Sequence, residues 1–94
     1  MFNRWDMPHG LLTEREVAAL FALYNATGGG FHAHVPEEAV VSRFRKDFRG
    51  YVSEGLDDLA RHPEGYVMKH PTRVGMTYQI TNSGIEKLKQ LRLL

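Results

Sequence analysis

The 94-residue chain has no cysteine, which excludes disulfide staples, thiolate metal ligands and thiol nucleophiles together. It has no apolar run near the roughly 20 residues that span a bilayer as a helix. Residues 1–6, Met-Phe-Asn-Arg-Trp-Asp, lack the basic-then-apolar order of a secretory signal, so a cytoplasmic protein is expected. Strong charge of either sign is missing too: 12 Lys and Arg against 11 Asp and Glu leave a net charge of +1 and a pI near 8.1. Attraction to a polyanion would therefore have to come from local clustering rather than bulk charge. Catalytic signatures are also lacking. Gly28, Gly29 and Gly30 have no following Lys-Ser/Thr of a phosphate loop, there is no nucleophile elbow, and the adjacent Asp57 and Asp58 diverge on one helix. Neither an enzyme nor a cofactor is expected.

What is present is enough to fold. With 43% hydrophobic and 11% aromatic residues, the composition suits one small domain with a modest core. We read a short arm over residues 1–11, with Trp5 as its anchor on the body, followed by one domain over 12–94.

The first helix is announced by a capping box, Thr13-x-x-Glu16, with Leu12 and Val17 as a hydrophobic staple. Val17, Leu20, Phe21 and Tyr24 then make one apolar stripe, and the three glycines stop the helix. Residues 31–35 alternate as a short strand, with Phe31, Ala33 and Val35 facing inward. Pro36, Glu37 and Glu38 open a second helix with Val40, Val41, Phe44 and Phe48 as its buried face, and Gly50 ends it. Ser53 is the expected cap of a third helix over about 54–61, with Leu56, Leu59 and Ala60 inward. Strands over about 66–70 and 76–81 follow, joined by a Pro/Gly turn, with Met76, Tyr78 and Ile80 on one face. A last helix from Asn82 or Ser83 carries Ile85, Leu88 and Leu91 inward.

His32 and His34 give the one metal-like spacing. A metal site needs three or four ligands with outer-shell support, and no cysteine or second histidine pair lies nearby in sequence. They are read as exposed histidines.

The closing run Tyr78-x-Ile80-Thr81-x-x-Gly84-x-x-x-Leu88, with Leu56-x-x-Leu59 and Gly65-Tyr66-Val67 before it, resembles the winged helix-turn-helix domains of compact archaeal and bacterial transcriptional regulators. The resemblance covers about residues 12–92. It implies an α+β fold: a three-helix core with a short strand, a two-stranded β wing and a C-terminal helix. The helix-turn-helix would comprise 36–48 and 53–61, with the second helix in the major groove of double-stranded DNA and the wing at 72–74 near a phosphate backbone. The residues then expected to contact DNA are Arg43, Arg45, Lys46, Arg49, Tyr51, Ser53, Arg61, Lys69 and Arg73. The outward face of the third helix would be acidic, through Glu54, Asp57 and Asp58, with Asp57 and Arg61 able to pair. That face supports an alternative, a winged helix that binds protein rather than DNA. A homodimer is a further expectation, through the tail Leu91-Arg92-Leu93-Leu94 and the first helix, where Leu23 and the alanines lie off the main stripe.

Overall fold

The computed structural model describes residues 12–30 and 33–94; the arm at 1–11, and Phe31 and His32, lie outside the described residues. Among the described residues the order is α1 (Glu14–Ala26), β1 (Val35–Pro36), α2 (Glu37–Val41), α3 (Lys46–Ala60), β2 (Val67–Thr72), β3 (Gly75–Ile80) and α4 (Asn82–Gln90). This is a small α+β arrangement of four helices and a three-stranded antiparallel sheet, compatible with a winged-helix layout. None of the described helices is long and apolar enough to cross a membrane.

The capping box forms as read. The Thr13 hydroxyl accepts from the Glu16 amide, and the Glu16 carboxylate accepts from the Thr13 amide at 2.9 Å. The buried stripe of α1 is rotated from the expected one: Ala19, Leu20, Ala22 and Leu23 are in the core, while Val17, Phe21 and Tyr24 are half-buried. Leu23, Ala19 and Ala22 are thus core residues and not part of an exposed seam, while Ala18 and Ala26 are half-buried. The small residues Ala19 and Ala22 mark the side where another helix comes close.

The second helix is much shorter than the expected 36–48. It ends at Val41, and residues 42–45 form the turn. Gly50 does not break the chain, because α3 starts at Lys46 and runs through it to Ala60. Burial of Val52, Leu56 and Leu59 outweighs the roughly 1 kcal/mol by which glycine disfavours a helix interior. The shift also moves Phe48 from the expected core to the surface, where it is 47% exposed.

The sheet order is β1-β3-β2, with β3 central. β1 is shorter than the expected strand: Val35 and Pro36 pair with Tyr78 and Thr77. β2 and β3 pair from Val67↔Ile80 to Thr72↔Gly75, leaving only Arg73 and Val74 in the turn. Pro71 fits within β2 because β2 is an edge strand, where a missing N–H leaves no ladder bond unmade. Tyr78 and Ile80 face the core, but Met76 lies out along the hairpin and is 40% exposed.

α4 is capped by Thr81, whose hydroxyl accepts from the Gly84 amide at 3.1 Å and donates to the Gly65 carbonyl at 2.6 Å. A Cβ on Gly84 would meet the Tyr66 carbonyl oxygen at 2.5 Å, so the first turn of α4 packs at backbone distance on the residue that precedes β2. Leu88 is buried and Ile85 half-buried, while Leu91, expected inward, is 38% exposed just past the helix end.

Candidate nucleic-acid interface

The turn at 42–45 and the first turn of α3 bring four of the expected cations together. Arg45 sits at the N-cap of α3 and gives no side-chain cap bond, so the first amides of the helix point outward beside it. Its guanidinium lies over the Phe48 ring at 5.4 Å and pairs with Asp47 at 3.1 Å. Arg49 reaches back across the turn, its Nε donating to the Phe44 carbonyl at 3.2 Å. Arg43 and Lys46 are exposed and make no salt bridge among the described residues. A helix start without a side-chain cap, with four cations and the one carboxylate Asp47 within residues 43–49, suits an anion with several oxygens, such as a phosphate.

Ser53 and Tyr51 do not start a helix, because α3 begins seven and five residues earlier respectively. The Ser53 hydroxyl donates to the Glu37 carboxylate at 2.8 Å, tying α3 to α2. Tyr51 is exposed on the flank of α3 that faces α1. Arg61 is the C-cap residue. It lies 15 residues beyond Lys46, roughly 22 Å along the axis at 1.5 Å per residue, so it does not join the cluster.

The acidic residues of α3 are largely paired. Arg15 of α1 reaches Glu54 at 2.9 Å and Asp58 at 2.6 Å, two carboxylates one turn apart on α3. Hydrogen bonding to Asp58 is the main effect raising the Arg15 pKa. Arg61 pairs with Asp58 at 2.9 Å rather than with Asp57. Arg15 was not among the residues singled out in the sequence; its partners lie 39 and 43 positions away, beyond any local pattern.

Asp57 faces the sheet. Lys69 of β2 meets its carboxylate at 3.0 Å, and the Tyr78 hydroxyl donates to it at 3.2 Å. Partial burial pushes the Asp57 carboxyl up, but Lys69 and the Tyr78 hydroxyl outweigh this and hold it below its ordinary value. Burial, then the nearby Asp57 and Glu37 carboxylates, raise the Tyr78 phenol and keep it protonated. Lys69 thus serves a structural ion pair, with its ammonium 5.9 Å from the Tyr78 ring centroid.

The outward stripe of α3 follows the helical repeat through Lys46, Gly50, Glu54 and Arg61. Gly50 stands one turn from its start. A Cβ there would meet nothing within 4 Å, whereas one on Gly55 would lie 2.5 Å from the Arg15 carbonyl oxygen and 2.9 Å from the Ala19 Cβ. Gly55 is therefore required by the α1–α3 crossing. Nothing in the packing requires Gly50, an exposed glycine inside a helix. Expected to end the second helix, it lies instead inside α3, and the helix-compatible residues on both sides of it are the signal for that.

At the hairpin tip, the Thr72 hydroxyl donates to the Gly75 carbonyl at 2.6 Å and accepts from the Val74 amide at 3.3 Å. Gly75 takes φ 138°, a value open to glycine and strained for other residues. Arg73 and the almost wholly exposed Val74 are held there, separate from the α3 cluster in sequence and element.

His34 is exposed, as expected, while His32 lies outside the described residues. The His34 ring packs against His70, 4.1 Å between centroids, and His70 Nε2 lies 2.8 Å from the Gln79 Oε1. No group of three or more histidine and carboxylate side chains among the described residues could hold a metal ion. Neither a family model, nor a curated protein, nor a solved structure matches this chain.

Proposed function

We propose that the chain is a winged-helix, DNA-binding transcriptional regulator that docks the N-terminal half of α3 on a duplex. The observation that carries this reading is the open Gly50 on the outward stripe of α3, one turn from Lys46 and next to Arg49 in sequence. An exposed mid-helix glycine with no packing role reduces helix stability but lets a helix approach a groove wall closely. Arg43, Arg45, Lys46 and Arg49 supply the phosphate contacts, and Tyr51 lies beside them. The hairpin tip adds a second contact through Arg73, a residue type suited to narrow minor grooves. Ser53 and Lys69, engaged with Glu37 and Asp57, tie α3 to α2 and β2, and Arg61 pairs with Asp58 at the end of α3. The exposed leucines 91, 93 and 94 provide the seam for a homodimer that spans two half-sites.

The pairing of Glu54, Asp58 and Asp57 with Arg15 and Lys69 neutralises much of the acidic face that the protein-binding alternative needs. Fluorescence anisotropy of labelled duplex DNA across a salt series tests the DNA reading. A linear fall of log affinity with log salt is expected, together with weaker binding to all sequences and a shallower slope for Arg45→Ala/Arg49→Ala. No binding at low salt would reject it and favour the protein-binding alternative.

A further inference from the structure

An apolar groove runs between α1 and the start of α3, formed by two adjoining hollows of about 380 and 290 Å³. Ala18 and Phe44 line both; Phe21 extends the groove at one end, and Phe48 and Tyr51 at the other. Phe48 and Tyr51 are exposed, and Phe21 and Phe44 only half-buried. Four aromatic rings lining one open groove exceed the scattered apolar exposure of an ordinary surface. Cations flank it. Arg43 lines the first hollow, and the Arg45 guanidinium lies over the Phe48 ring at 5.4 Å. Arg49 is fixed to the Phe44 carbonyl at 3.2 Å. Among the described residues no carboxylate lines either hollow; Asp47 is paired with Arg45, and Glu54 with Arg15.

We propose that the groove docks an acidic amphipathic helix of a partner protein, with one large apolar side chain in each hollow and carboxylates against Arg43 and Arg45. Shape is the first argument. Two hollows that share a wall suit anchors at i and i+3 or i+4, the spacing at which one helix presents neighbouring side chains. The aromatic walls offer flat faces to a leucine or phenylalanine anchor. Charge then selects the occupant. Arg43 makes no salt bridge among the described residues. Arg45 holds Asp47 through side chains that are 77% and 65% exposed, a pair that costs little to exchange for a partner's carboxylate. A second copy docked face to face would instead set two rims of like charge against each other. The inference goes beyond the DNA reading and does not rest on it, since the groove lies on the α1 flank of α3 rather than on the Lys46–Gly50 stripe. Arg43 and Arg45 belong to both surfaces, so on the DNA reading an occupant of the groove competes with the duplex.

The test needs no DNA. The probe is a fluorescein-labelled helical peptide with leucine and phenylalanine one turn apart and glutamates flanking them. One control peptide carries lysines in place of the glutamates, and another carries serines in place of the two anchors. Anisotropy titration with the full chain should show saturable binding of the acidic peptide and roughly tenfold weaker binding of each control. Ala18→Glu and Phe48→Ser should each weaken the acidic peptide several-fold with the far-UV circular dichroism unchanged. Each alters a side chain that is not fully buried, and the two variants check each other should one fail to fold. Arg43→Glu/Arg45→Glu should reverse the preference, making the lysine peptide the tighter ligand, which a loss of packing would not do. Four outcomes would overturn the proposal: no saturable binding of the acidic peptide, equal binding of the acidic and lysine peptides, binding that survives both groove substitutions, or a dimer in analytical ultracentrifugation that Phe48→Ser dissolves. The last would assign the groove to a second copy. Failure of the DNA reading would show in the duplex titration alone and leave these readouts in place.

Discussion

Gly55 of α3 lies against the backbone of Arg15 in α1, so close that a methyl group on Gly55 would sit 2.5 Å from the Arg15 carbonyl oxygen. The same close crossing lets the Arg15 guanidinium turn along α3 and hold both Glu54 and Asp58. Gly55→Ala should therefore destabilise the fold by about 1–3 kcal/mol, the usual range for an overpacked contact, although alanine is the better helix former. Urea unfolding measures this as a lower midpoint at an unchanged slope. A variant as stable as the parent would mean that the crossing relaxes and that Gly55 does not set the helix spacing.

Gly50 gives the opposite expectation on the same helix. Its Cβ position is open, so Gly50→Ala should stabilise the fold by up to about 1 kcal/mol through helix propensity alone. If α3 approaches a duplex along this stripe, the same substitution should weaken DNA binding several-fold. Stability and affinity moving in opposite directions is the signature to look for. A stabilised variant with unchanged affinity would remove Gly50 from the docking surface while leaving the basic cluster in play.

The local signals in the sequence translated well where a backbone need had one chemical answer. Thr13 and Glu16 made their capping box, and Thr81 and Gly84 fixed the start of α4 against Gly65 and Tyr66. The closing motif that carries the family resemblance is thus occupied by structural tasks: Tyr78 and Ile80 fill the core, Thr81 caps and Gly84 permits contact. It accounts for the hairpin and last helix, and says little about a ligand. Local rules failed between residues 41 and 53. There, glycine and serine carry the local signals of a stop and a cap, while burial of Val52, Leu56 and Leu59 keeps one helix running through them. The error moved the turn by several residues. It still left Arg43, Arg45, Lys46 and Arg49 clustered, because they lie within seven consecutive positions and stay near each other on either assignment. The pairing of Lys69 with Asp57 and of Arg15 with Asp58 was not legible, since each joins elements far apart in sequence.

That division of the cations leads to a comparison between two pairs of variants. Arg43→Ala/Lys46→Ala removes two exposed charges without described salt bridges, so stability should stay within about 0.5 kcal/mol. The salt slope of DNA binding should fall by about 1.8, at roughly 0.9 per lost phosphate contact. Arg61→Ala/Lys69→Ala removes partners of Asp58 and Asp57, and should lower the melting temperature with a smaller change in slope. The reverse pattern would place the phosphate track along the far end of α3 and the sheet instead of at its start.

The buried polar contact beneath the sheet yields a pH signature. Tyr78 donates to Asp57 at 3.2 Å, and burial with the two flanking carboxylates raises its pKa above the ordinary phenol value. The folded state therefore holds this proton more tightly than the unfolded chain, whose tyrosines titrate near about pH 10. The resulting stability is fully present below that pH and is lost as pH rises through the folded value. Asp57 acts in the other direction. Lys69 and Tyr78 depress it, so its contribution is present above about pH 4, the ordinary carboxylate value, and declines in acid. Tyr78→Phe keeps the ring but deletes the hydroxyl; at neutral pH it should lose about 1 kcal/mol, the typical net value of one hydrogen bond. Its melting temperature should also fall less steeply than that of the parent above about pH 10. Some alkaline dependence should persist, because burial raises Tyr66 as well. Asp57→Asn should differ most from the parent at neutral pH and converge with it in acid. Thermal melts from acid to alkaline pH read both effects, and parallel profiles for Tyr78→Phe and the parent would mean that the Tyr78 proton is not bound more tightly in the fold.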